Sequence, residues 1–299
     1  MFGVVIPVGP DGRELSRLRA LVDELGRHED RSEMRLIVID DGPAPREFDL
    51  GWPSVTVVRT VLRRERRPDL LSAHVAGTLE ALNEARGLEF ALKLDTDAAL
   101  IRPFSTAIRA VFAEPGLGVV GSYDRMSSGA VRDWTIWKRR IDQADRRWSA
   151  RRVGVGVRLY RHRRSDRSMV RRVRAEAYRV APPGAHCLGG AYAVSAAFLT
   201  SAPLAWRPWV GTGLGEDVVV GLLASSAGLR MRSLTAPGEP FALAWRGLPA
   251  PPAELVSGGH SIVHSVKRPV EDDERALRHE LQSLVCACDP APASPAARN

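Results

Sequence analysis

Short apolar runs alternate with helical patterns over the first 125 residues, and this alternation constrains the fold more than any other feature of the sequence. Four apolar runs have the length and composition of strands buried on both faces of a sheet: residues 2–8, 36–39, 55–61 and 90–94. Strands that alternate with helices in this way predict an α/β fold built on a mainly parallel sheet.

Amphipathic helices are predicted between these strands. Leucine and valine recur at helical spacing over residues 11–25, with Gly26 as the predicted C-cap. A second helical pattern covers residues 71–82 and is closed by Gly87. A later helix is predicted to begin near Gly215.

Because ligands gather at the carboxyl ends of the strands in open parallel sheets, the residues that follow the strands form the candidate site.

The length and composition fit one large α/β domain with elaborations. The chain has 299 residues, of which 44% are hydrophobic and 26% are charged. There is no apolar run long enough to span a bilayer and no signal pattern after Met1, so a cytoplasmic location is expected. Three cysteines, Cys187, Cys286 and Cys288, are too few and too irregularly spaced to indicate a disulfide framework or a zinc site.

The positive charge is concentrated in one segment. Residues 138–179 contain 16 Lys or Arg and four acidic residues, a local net charge of +12, whereas the whole chain has a net charge of +8. Trp134, Trp137 and Trp148 lie in or beside this segment. Such a segment can attract an anionic acceptor, a membrane surface through peripheral contact, or nucleic acid. A solvated insertion is the alternative, and no obligate nucleic-acid partner is expected.

Asp95-Thr96-Asp97 follows the apolar run 90–94 directly. Residues i and i+2 of an extended chain point the same way, so the two carboxylates are expected to converge at the edge of the sheet. Their oxygens suit Mg²⁺ or Mn²⁺ and leave other coordination positions for a diphosphate. Aspartate is also common in turns, but the position directly after a buried strand favours a metal site.

Asp40 and Asp41 follow the apolar run 36–39 in the same way. A carboxylate at the carboxyl end of a strand can accept a hydrogen bond from a ribose hydroxyl or from a base N–H. An N-cap or an Asx-turn is the alternative. The sequence therefore offers a second acidic cluster at the predicted edge of the sheet.

Glu216 and Asp217 open the helix that is predicted near Gly215. Acidic residues at a helix N-terminus are stabilised by the helix dipole, and this is the structural explanation for the pair. The functional explanation is a general base that removes a proton from an attacking hydroxyl. The residues by themselves do not decide between the two.

A late polar stretch adds further candidates. His260 and His264 can each supply a nitrogen ligand to a divalent metal, and the sequence does not show which of them does so. Lys267, three residues after His264, can meet a phosphate as a point charge.

Taken together, these motifs resemble those of GT-A glycosyltransferases, most closely the family 2 type. The resemblance covers residues 3–267, and the opening strand, the Asp-Asp-Gly and the Asp-x-Asp are its most specific parts. It rests on five stretches: residues 4–8, 36–42, 94–97, 189–192 and 215–217. The family implies a GT-A fold, which is a Rossmann-like nucleotide-binding architecture with a mainly parallel central sheet, here with a basic insertion and a C-terminal elaboration.

The resemblance also implies a reaction, the transfer of a sugar from a nucleotide-diphosphate sugar to an acceptor hydroxyl. A UDP-sugar or a GDP-sugar is the expected donor, Mn²⁺ or Mg²⁺ the expected cofactor, and the acceptor is not identified beyond the anionic chemistry that the basic segment favours. Nine residues receive donor or metal roles by matching the motifs: Pro7, Asp40, Asp41, Gly189, Gly190 and Lys267 on the donor, Asp95 on both the donor and the metal, and Asp97 and His264 on the metal.

For the chemical step, the family implies that Asp217 is the general base of an inverting reaction and that Glu216 contacts the acceptor. Residues 1–125 are then the nucleotide-sugar-binding half, residues 126–186 a basic segment on the acceptor side, and residues 187–288 the acceptor-binding and catalytic half of the same domain. Residues 289–299, rich in proline and alanine, are expected to form a disordered tail.

The sequence departs from the family pattern in two places, and two other classes of protein remain as alternatives. Val8-Gly9-Pro10 replaces polar residues after the first strand, and an arginine tract (Arg63, Arg64, Arg66 and Arg67) precedes the second helix. A nucleotidyltransferase would also need metal carboxylates, but it normally has a glycine-rich, arginine-containing loop after the first strand, which residues 9–13 match poorly. A non-enzymatic module for nucleic acid or membrane surfaces would leave the acidic clusters unexplained.

Overall fold

The computed structural model describes residues 1–59, 62, 69–153 and 155–288. Twelve strands lie within these residues: β1 (Phe2–Val8), β2 (Met34–Asp40), β3 (Val55–Val58), β4 (Phe90–Leu94), β5 (Ala98–Leu100), β6 (Leu117–Gly121), β7 (Trp148–Val153), β8 (Gly156–Arg161), β9 (Ala191–Ser195), β10 (Arg230–Ser233), β11 (Phe241–Leu243) and β12 (Ile262–His264). Nine α-helices lie within them as well: α1 (Gly12–His28), α2 (Leu70–Glu84), α3 (Ser105–Phe112), α4 (Thr135–Asp142), α5 (Arg164–Val180), α6 (Ala196–Ser201), α7 (Glu216–Ser226), α8 (Pro252–Ser257) and α9 (Glu271–Cys288).

A central sheet of seven strands, in the order β10-β6-β9-β4-β1-β2-β3, organises the chain. All of its pairs are parallel except those of β9, which runs antiparallel to β4 and to β6. The predicted mixed α/β fold with a mainly parallel, Rossmann-like sheet is therefore confirmed. The antiparallel strand has a consequence for the site, because its first residue, Ala191, pairs with Leu94 at the carboxyl end of β4.

Helices cover both faces of this sheet, which is why its inner strands are apolar on both sides. On one face, Leu18, Leu21 and Leu25 of α1 share a core with Phe2 and Ile6 of β1. On the other face, α2 and α7 pack over the alternate residues of the same strands in a second core. Both cores are fully buried, so the carboxyl edge of the sheet is held from above and below.

Part of the basic segment packs against the core of the protein. Its helix α5 buries Val170, Val173 and Ala177 in the same core as α7. By contrast, β7 and β8 form a separate two-stranded antiparallel sheet whose residues are mostly exposed. The charge therefore lies on different structures, among them a helix that packs on the core, a hairpin on the surface, and α4, which carries Lys138, Arg139 and Arg140.

A second sheet, in the order β11-β12-β5, joins the C-terminal part of the chain to the Asp-x-Asp loop. β12 runs antiparallel to β5, with His264 opposite Ala98. Helix α9 then packs back towards α1 through two buried ion pairs, Arg17 with Glu274 and Arg278 with Glu24. These contacts bring the end of the described chain to the residues that flank the predicted metal site.

One predicted helix boundary is wrong. Helix α1 continues to His28, and the backbone N–H of Glu29 donates to Leu25 at its end, so Gly26 lies inside the helix and does not cap it. A Cβ atom at Gly26 would overlap the guanidinium of Arg31, so this glycine provides space for a side chain. Gly87 and Gly228, in contrast, have the positive φ that is typical of a residue following a helix.

Some predictions fall outside the described residues. These are the end of the 55–61 strand beyond Arg59, the arginine tract of Arg63, Arg64, Arg66 and Arg67, and the tail at 289–299. Over the residues that are described, we find no helix that is both long and apolar enough to cross a bilayer.

The ion pair between Arg278 and Glu24 gives a stability prediction. Arg278 donates to both oxygens of Glu24 at 2.9 and 3.0 Å and also to the carbonyls of Thr96 and Ala98. Arg278→Met would leave a buried carboxylate without its partner, and we expect a loss of about 3–5 kcal/mol in the free energy of unfolding. Urea unfolding would measure it. Arg275→Met, at an exposed position of the same helix, should change the value by less than about 0.5 kcal/mol.

Candidate active site

Three side chains that are far apart in sequence meet beyond the end of β4. Asp95 and Asp97 follow that strand, and His264 ends β12. Each offers a ligand atom, and the three atoms lie within 4.8 Å of one another. His264 Nε2 is 3.2 Å from Asp97 Oδ1 and 3.7 Å from Asp95 Oδ2. Two carboxylates and one imidazole form a donor set that suits a divalent cation.

Neighbouring groups orient these ligands. The Nδ1 of His264 lies 3.0 Å from the carbonyl oxygen of Ala244, and this partner places a proton on Nδ1 and turns Nε2 towards the carboxylates. Ser265 Oγ donates to Asp97 Oδ2 at 2.6 Å. Burial opposes the charge of Asp97, but hydrogen bonds from His264 and Ser265 outweigh it and hold the pKa of this carboxyl well below its usual range. Asp97 is therefore ionised and ready to bind a cation.

The structure separates the two histidine candidates. His264 lies with the carboxylates, whereas His260 Nδ1 hydrogen-bonds the carbonyl of Glu239 at 2.8 Å and does not belong to the cluster. The β5–β12 pairing makes this difference, because it places His264 opposite the residue that follows Asp97.

Gly189 and Gly190 lie against the same cluster, and each leaves room for a catalytic candidate. A Cβ atom at Gly190 would overlap the His264 ring. At Gly189 it would come within 3.0 Å of Glu216 and 3.2 Å of Asp217. The backbone N–H of Asp95 donates to the Gly190 carbonyl at 3.0 Å, so the residue that precedes β9 is joined directly to the Asp-x-Asp loop. These glycines allow the motifs to approach closely.

Lys93 is a central residue that the sequence reading missed. Its fully buried Nζ donates to Asp95 Oδ1 at 2.6 Å and to the carbonyl of Gly189, and it lies 3.4 Å from Glu216 Oε1. Burial alone would lower the pKa of Lys93, but the charges of Asp95 and Glu216 overcome burial and raise it. The available signal was the lysine itself, which stands in an otherwise apolar strand and is two residues before Asp95.

Asp217 has the properties of a base that works near neutral pH. It lies in the first turn of α7, and its Oδ1 accepts the backbone N–H of Val218 at 2.8 Å. Burial, with the adjacent charge of Glu216, raises the pKa of Asp217 to about 7. Glu216 has the opposite shift, because Lys93 and His74 outweigh its burial and lower its pKa. The two neighbouring carboxylates thus differ in their affinity for a proton.

A neutral histidine lies behind this base, and the sequence reading missed it too. His186 Nε2 is 3.7 Å from Asp217 Oδ2 and 3.0 Å from an Arg132 nitrogen, and its Nδ1 hydrogen-bonds the carbonyl of Gly184 at 2.7 Å. Burial and the charge of Arg132 lower the pKa of His186 to about 4. The Gly184 contact assigns the single proton to Nδ1, so Nε2 accepts from Arg132.

The two aspartates at the carboxyl end of β2, Asp40 and Asp41, lie in different environments. Asp40 is buried, and it accepts hydrogen bonds from Arg46, from Arg59 and from the Gly42 backbone. Both of its oxygens therefore already have protein partners. Asp41 Oδ2 lies 3.1 Å from His74 Nε2, and His74 lines the same cavity as Asp95.

The remaining predicted donor residues flank the site. Pro7 lies in β1, opposite Ile39 and next to the carboxyl end of the strand. Lys267 is exposed, its backbone N–H donates to Ser265 Oγ at 3.2 Å, and its charge contributes to the low pKa of Asp97.

One cavity of about 300 Å³ connects these groups. Asp95 and His264 line one side, Glu216, Asp217 and His186 line another, and His74 lies in the same lining. Aromatic and arginine side chains complete the wall, namely Trp137, Trp245 and Arg140. Two of the candidate metal ligands and a carboxylate with a pKa of about 7 thus face the same space, an arrangement that could support a metal-assisted transfer to a hydroxyl.

Comparisons with known proteins add little to this geometry. No protein-family model matches the chain, and no curated protein matches it. Among solved structures, a crystal structure of residues 1–349 of S. aureus TarS is similar, with 12% sequence identity and a TM-score of 0.38, covering 96% of this chain and 72% of that one.

The cluster of Asp95, Asp97 and His264 gives a metal-binding prediction. His264→Ala and Asp97→Asn should each lower the affinity for Mn²⁺ by at least about tenfold, because each removes a ligand or its charge. Isothermal titration measures the affinity directly. His260→Ala is the matched control and should bind Mn²⁺ like wild type. If His264→Ala binds as tightly as His260→Ala, the assignment of the ligands is wrong.

Proposed function

We propose that this chain is a metal-dependent glycosyltransferase of the GT-A type, which moves a sugar from a nucleotide-diphosphate sugar to an acceptor hydroxyl. The observation that carries the proposal is one cavity lined by the Asp95–His264 cluster and by Asp217, with the buried Lys93 between them. The sequence resemblance to family 2 points to the same reaction. An inverting outcome is proposed, since Asp217 is available as a base.

Asp95, Asp97 and His264 would hold the divalent cation, Mn²⁺ or Mg²⁺. A cation at this position supplies positive charge to the diphosphate of the donor and stabilises it as a leaving group. The exposed ammonium of Lys267 adds charge beside Asp97. We assign the phosphate end of a UDP-sugar or GDP-sugar to this side of the cavity.

The nucleoside would bind beside the carboxyl ends of β1 and β2. Pro7, Asp40 and Asp41 are the candidates from the sequence, and their contacts rank them. Asp40 forms ion pairs with Arg46 and Arg59, so we assign it the role of fixing the loop that follows β2. Asp41, with its partner His74 on the cavity wall, is the better candidate for the donor.

For the chemical step, we assign the general base to Asp217. It removes the proton of the acceptor hydroxyl while that oxygen attacks the sugar. Its raised pKa suits proton acceptance near neutral pH, and the neutral His186 behind it adds no positive charge that would lower this pKa. Glu216, held by Lys93, is assigned to the acceptor.

The alternative classes have less support. A nucleotidyltransferase would need the loop after β1 to contact phosphates, but Asp11 caps α1 and Arg13 donates to the carbonyls of Arg268 and Pro269. A purely basic binding module does not explain a partly buried carboxylate with a pKa of about 7 near three candidate metal ligands.

The base assignment predicts a pH dependence. Asp217 acts in its ionised form, so kcat should rise with pH through the pKa of about 7 and level off above it. Asp217→Asn should lower kcat by about a hundredfold or more and should remove this limb, with donor affinity nearly unchanged. Steady-state rates across a pH series measure both effects.

Glu216→Gln is the matched control for this pair. It removes the charge that helps to raise the pKa of Asp217, so the pH limb should move to lower pH and should not disappear. A limb that is unchanged in Asp217→Asn would assign the proton transfer to another group. An equal loss of donor binding in that variant would make Asp217 a donor-side residue.

A ligand panel tests the reaction class. The thermal midpoint of unfolding should rise when a nucleoside diphosphate or its sugar is added together with Mn²⁺, because a ligand that binds only the folded state stabilises it. At a hundred times its dissociation constant, such a ligand contributes about 2.7 kcal/mol. A panel of UDP- and GDP-sugars with and without Mn²⁺ identifies the donor. Stabilisation that is independent of the metal would contradict the proposal.

A further inference from the structure

The hairpin of β7 and β8 has one face that is bound to the rest of the protein. Ser149 Oγ donates to the Gly211 carbonyl at 2.6 Å, and Arg151 donates to the Thr212 carbonyl. Tyr160 packs against Gly211, where a Cβ atom would overlap its ring. This inner face fixes the hairpin beside the segment that leads to Gly213 and Gly215 on the cavity wall.

The opposite face is apolar and exposed. Strand pairing aligns Trp148 with Arg161, Ala150 with Leu159, and Arg152 with Val157, so these side chains share one face. Trp148 is 51% exposed, Leu159 68% and Val157 71%, and Val155 in the connecting turn is fully exposed. A tryptophan and three aliphatic side chains on one exposed hairpin are more than the scattered apolar residues of an ordinary surface.

Arginine is abundant in the hairpin and in the residues next to it. Between Arg146 and Arg164 the sequence contains eight arginines and no acidic residue. Two of them, Arg152 and Arg161, lie on the apolar face itself, and the guanidinium of Arg161 lies over the Trp148 ring at 5.8 Å. Arginine can leave its charged group in the headgroup layer while its aliphatic stem stays with apolar neighbours.

We propose that this outward face of the hairpin, named here the docking face and consisting of Trp148, Val155, Val157 and Leu159 with Arg152 and Arg161, binds the surface of a bilayer that contains anionic phospholipid. The aliphatic and indole side chains enter the interface between headgroups and acyl chains, and the arginines contact lipid phosphates. The inference does not depend on the proposed reaction.

Other occupants fit these features less well. Nucleic acid would use the arginines, but it offers no partner for three exposed aliphatic side chains. A second copy of the chain would bring Arg152 and Arg161 of the docking face against the same arginines, with no acidic residue of the hairpin to offset them. An anionic bilayer complements both the charge and the apolar side chains.

Vesicle sedimentation with the full chain tests the proposal. We expect binding to phosphatidylcholine vesicles that contain phosphatidylglycerol and little binding to phosphatidylcholine alone, with the affinity falling as salt is added. The triple variant Val155→Ser, Val157→Ser, Leu159→Ser should partition at least about tenfold more weakly. Arg152→Gln and Arg161→Gln should each weaken binding by about fivefold. Far-ultraviolet circular dichroism and thermal midpoints check that the exposed substitutions leave the fold unchanged.

Matched controls replace the same kinds of side chain at exposed positions outside the hairpin. Val131→Ser and Val270→Ser alter exposed aliphatic residues outside the hairpin, and Arg230→Gln with Arg275→Gln removes two exposed charges. These variants should bind vesicles nearly like wild type. Tryptophan emission is a second readout. The contribution of Trp148 is the difference between the emission of the wild-type chain and that of Trp148→Phe. This contribution should shift to the blue when anionic vesicles are added.

Three results would overturn the proposal. The first is equal binding to vesicles with and without phosphatidylglycerol. The second is a triple serine variant that binds like the valine controls, since the apolar side chains would then take no part. The third is binding to duplex DNA that is tighter than binding to anionic vesicles at the same salt and is unaffected by the triple variant, which would make the face a nucleic-acid surface. No donor, metal or turnover enters these measurements, so their failure is distinct from failure of the proposed function.

Discussion

The buried ammonium of Lys93 is the interaction on which the rest of the site depends. It lies among Asp95, Glu216 and the carbonyl of Gly189, and thereby joins the Asp-x-Asp loop, the antiparallel strand β9 and the start of α7. A single buried cation among several carboxylates keeps some of them ionised without metal, while burial raises the pKa of Asp95 and Asp217. The site therefore holds acidic groups of different proton affinity within one small space.

This arrangement also explains why the two functional ends of the cavity are packed so closely. Gly189 and Gly190, which precede β9, leave no side-chain volume between His264 and the carboxylates of α7. Arg278 holds Glu24 and the carbonyls on either side of Asp97, so the C-terminal helix supports the metal loop from behind. The catalytic candidates thus rest on rigid elements and on buried ion pairs.

The sequence predicted the sheet well, because strands buried on both faces are continuous apolar runs and carry a strong local signal. It also placed Asp95 and Asp97 correctly beyond β4, since that position follows from strand periodicity alone. The choice between His260 and His264 could not be made from the sequence, because it depends on the register of β12 against β5. That register is a long-range pairing with no local pattern.

Lys93, His186 and Arg132 escaped prediction for a related reason. Each of them has a partner that is distant in sequence, as in the pairs Lys93–Glu216, Arg132–His186 and His186–Asp217. The basic segment was predicted as one unit, but its charge is divided among α4, a hairpin with an exposed face, and a helix that packs in the core. Net charge along the chain does not reveal which arginines lie on a packed helix.

The central claim is that one divalent cation, held by Asp95, Asp97 and His264, links the protein to a nucleoside diphosphate. Anomalous diffraction from crystals grown with Mn²⁺ and a nucleoside diphosphate tests it most directly. The account predicts a single strong manganese peak in contact with Asp95, Asp97 and His264 Nε2, with diphosphate oxygens completing its coordination and Asp217 open to the cavity. A manganese peak elsewhere in the protein, or a diphosphate that is bound away from this cluster, would contradict it.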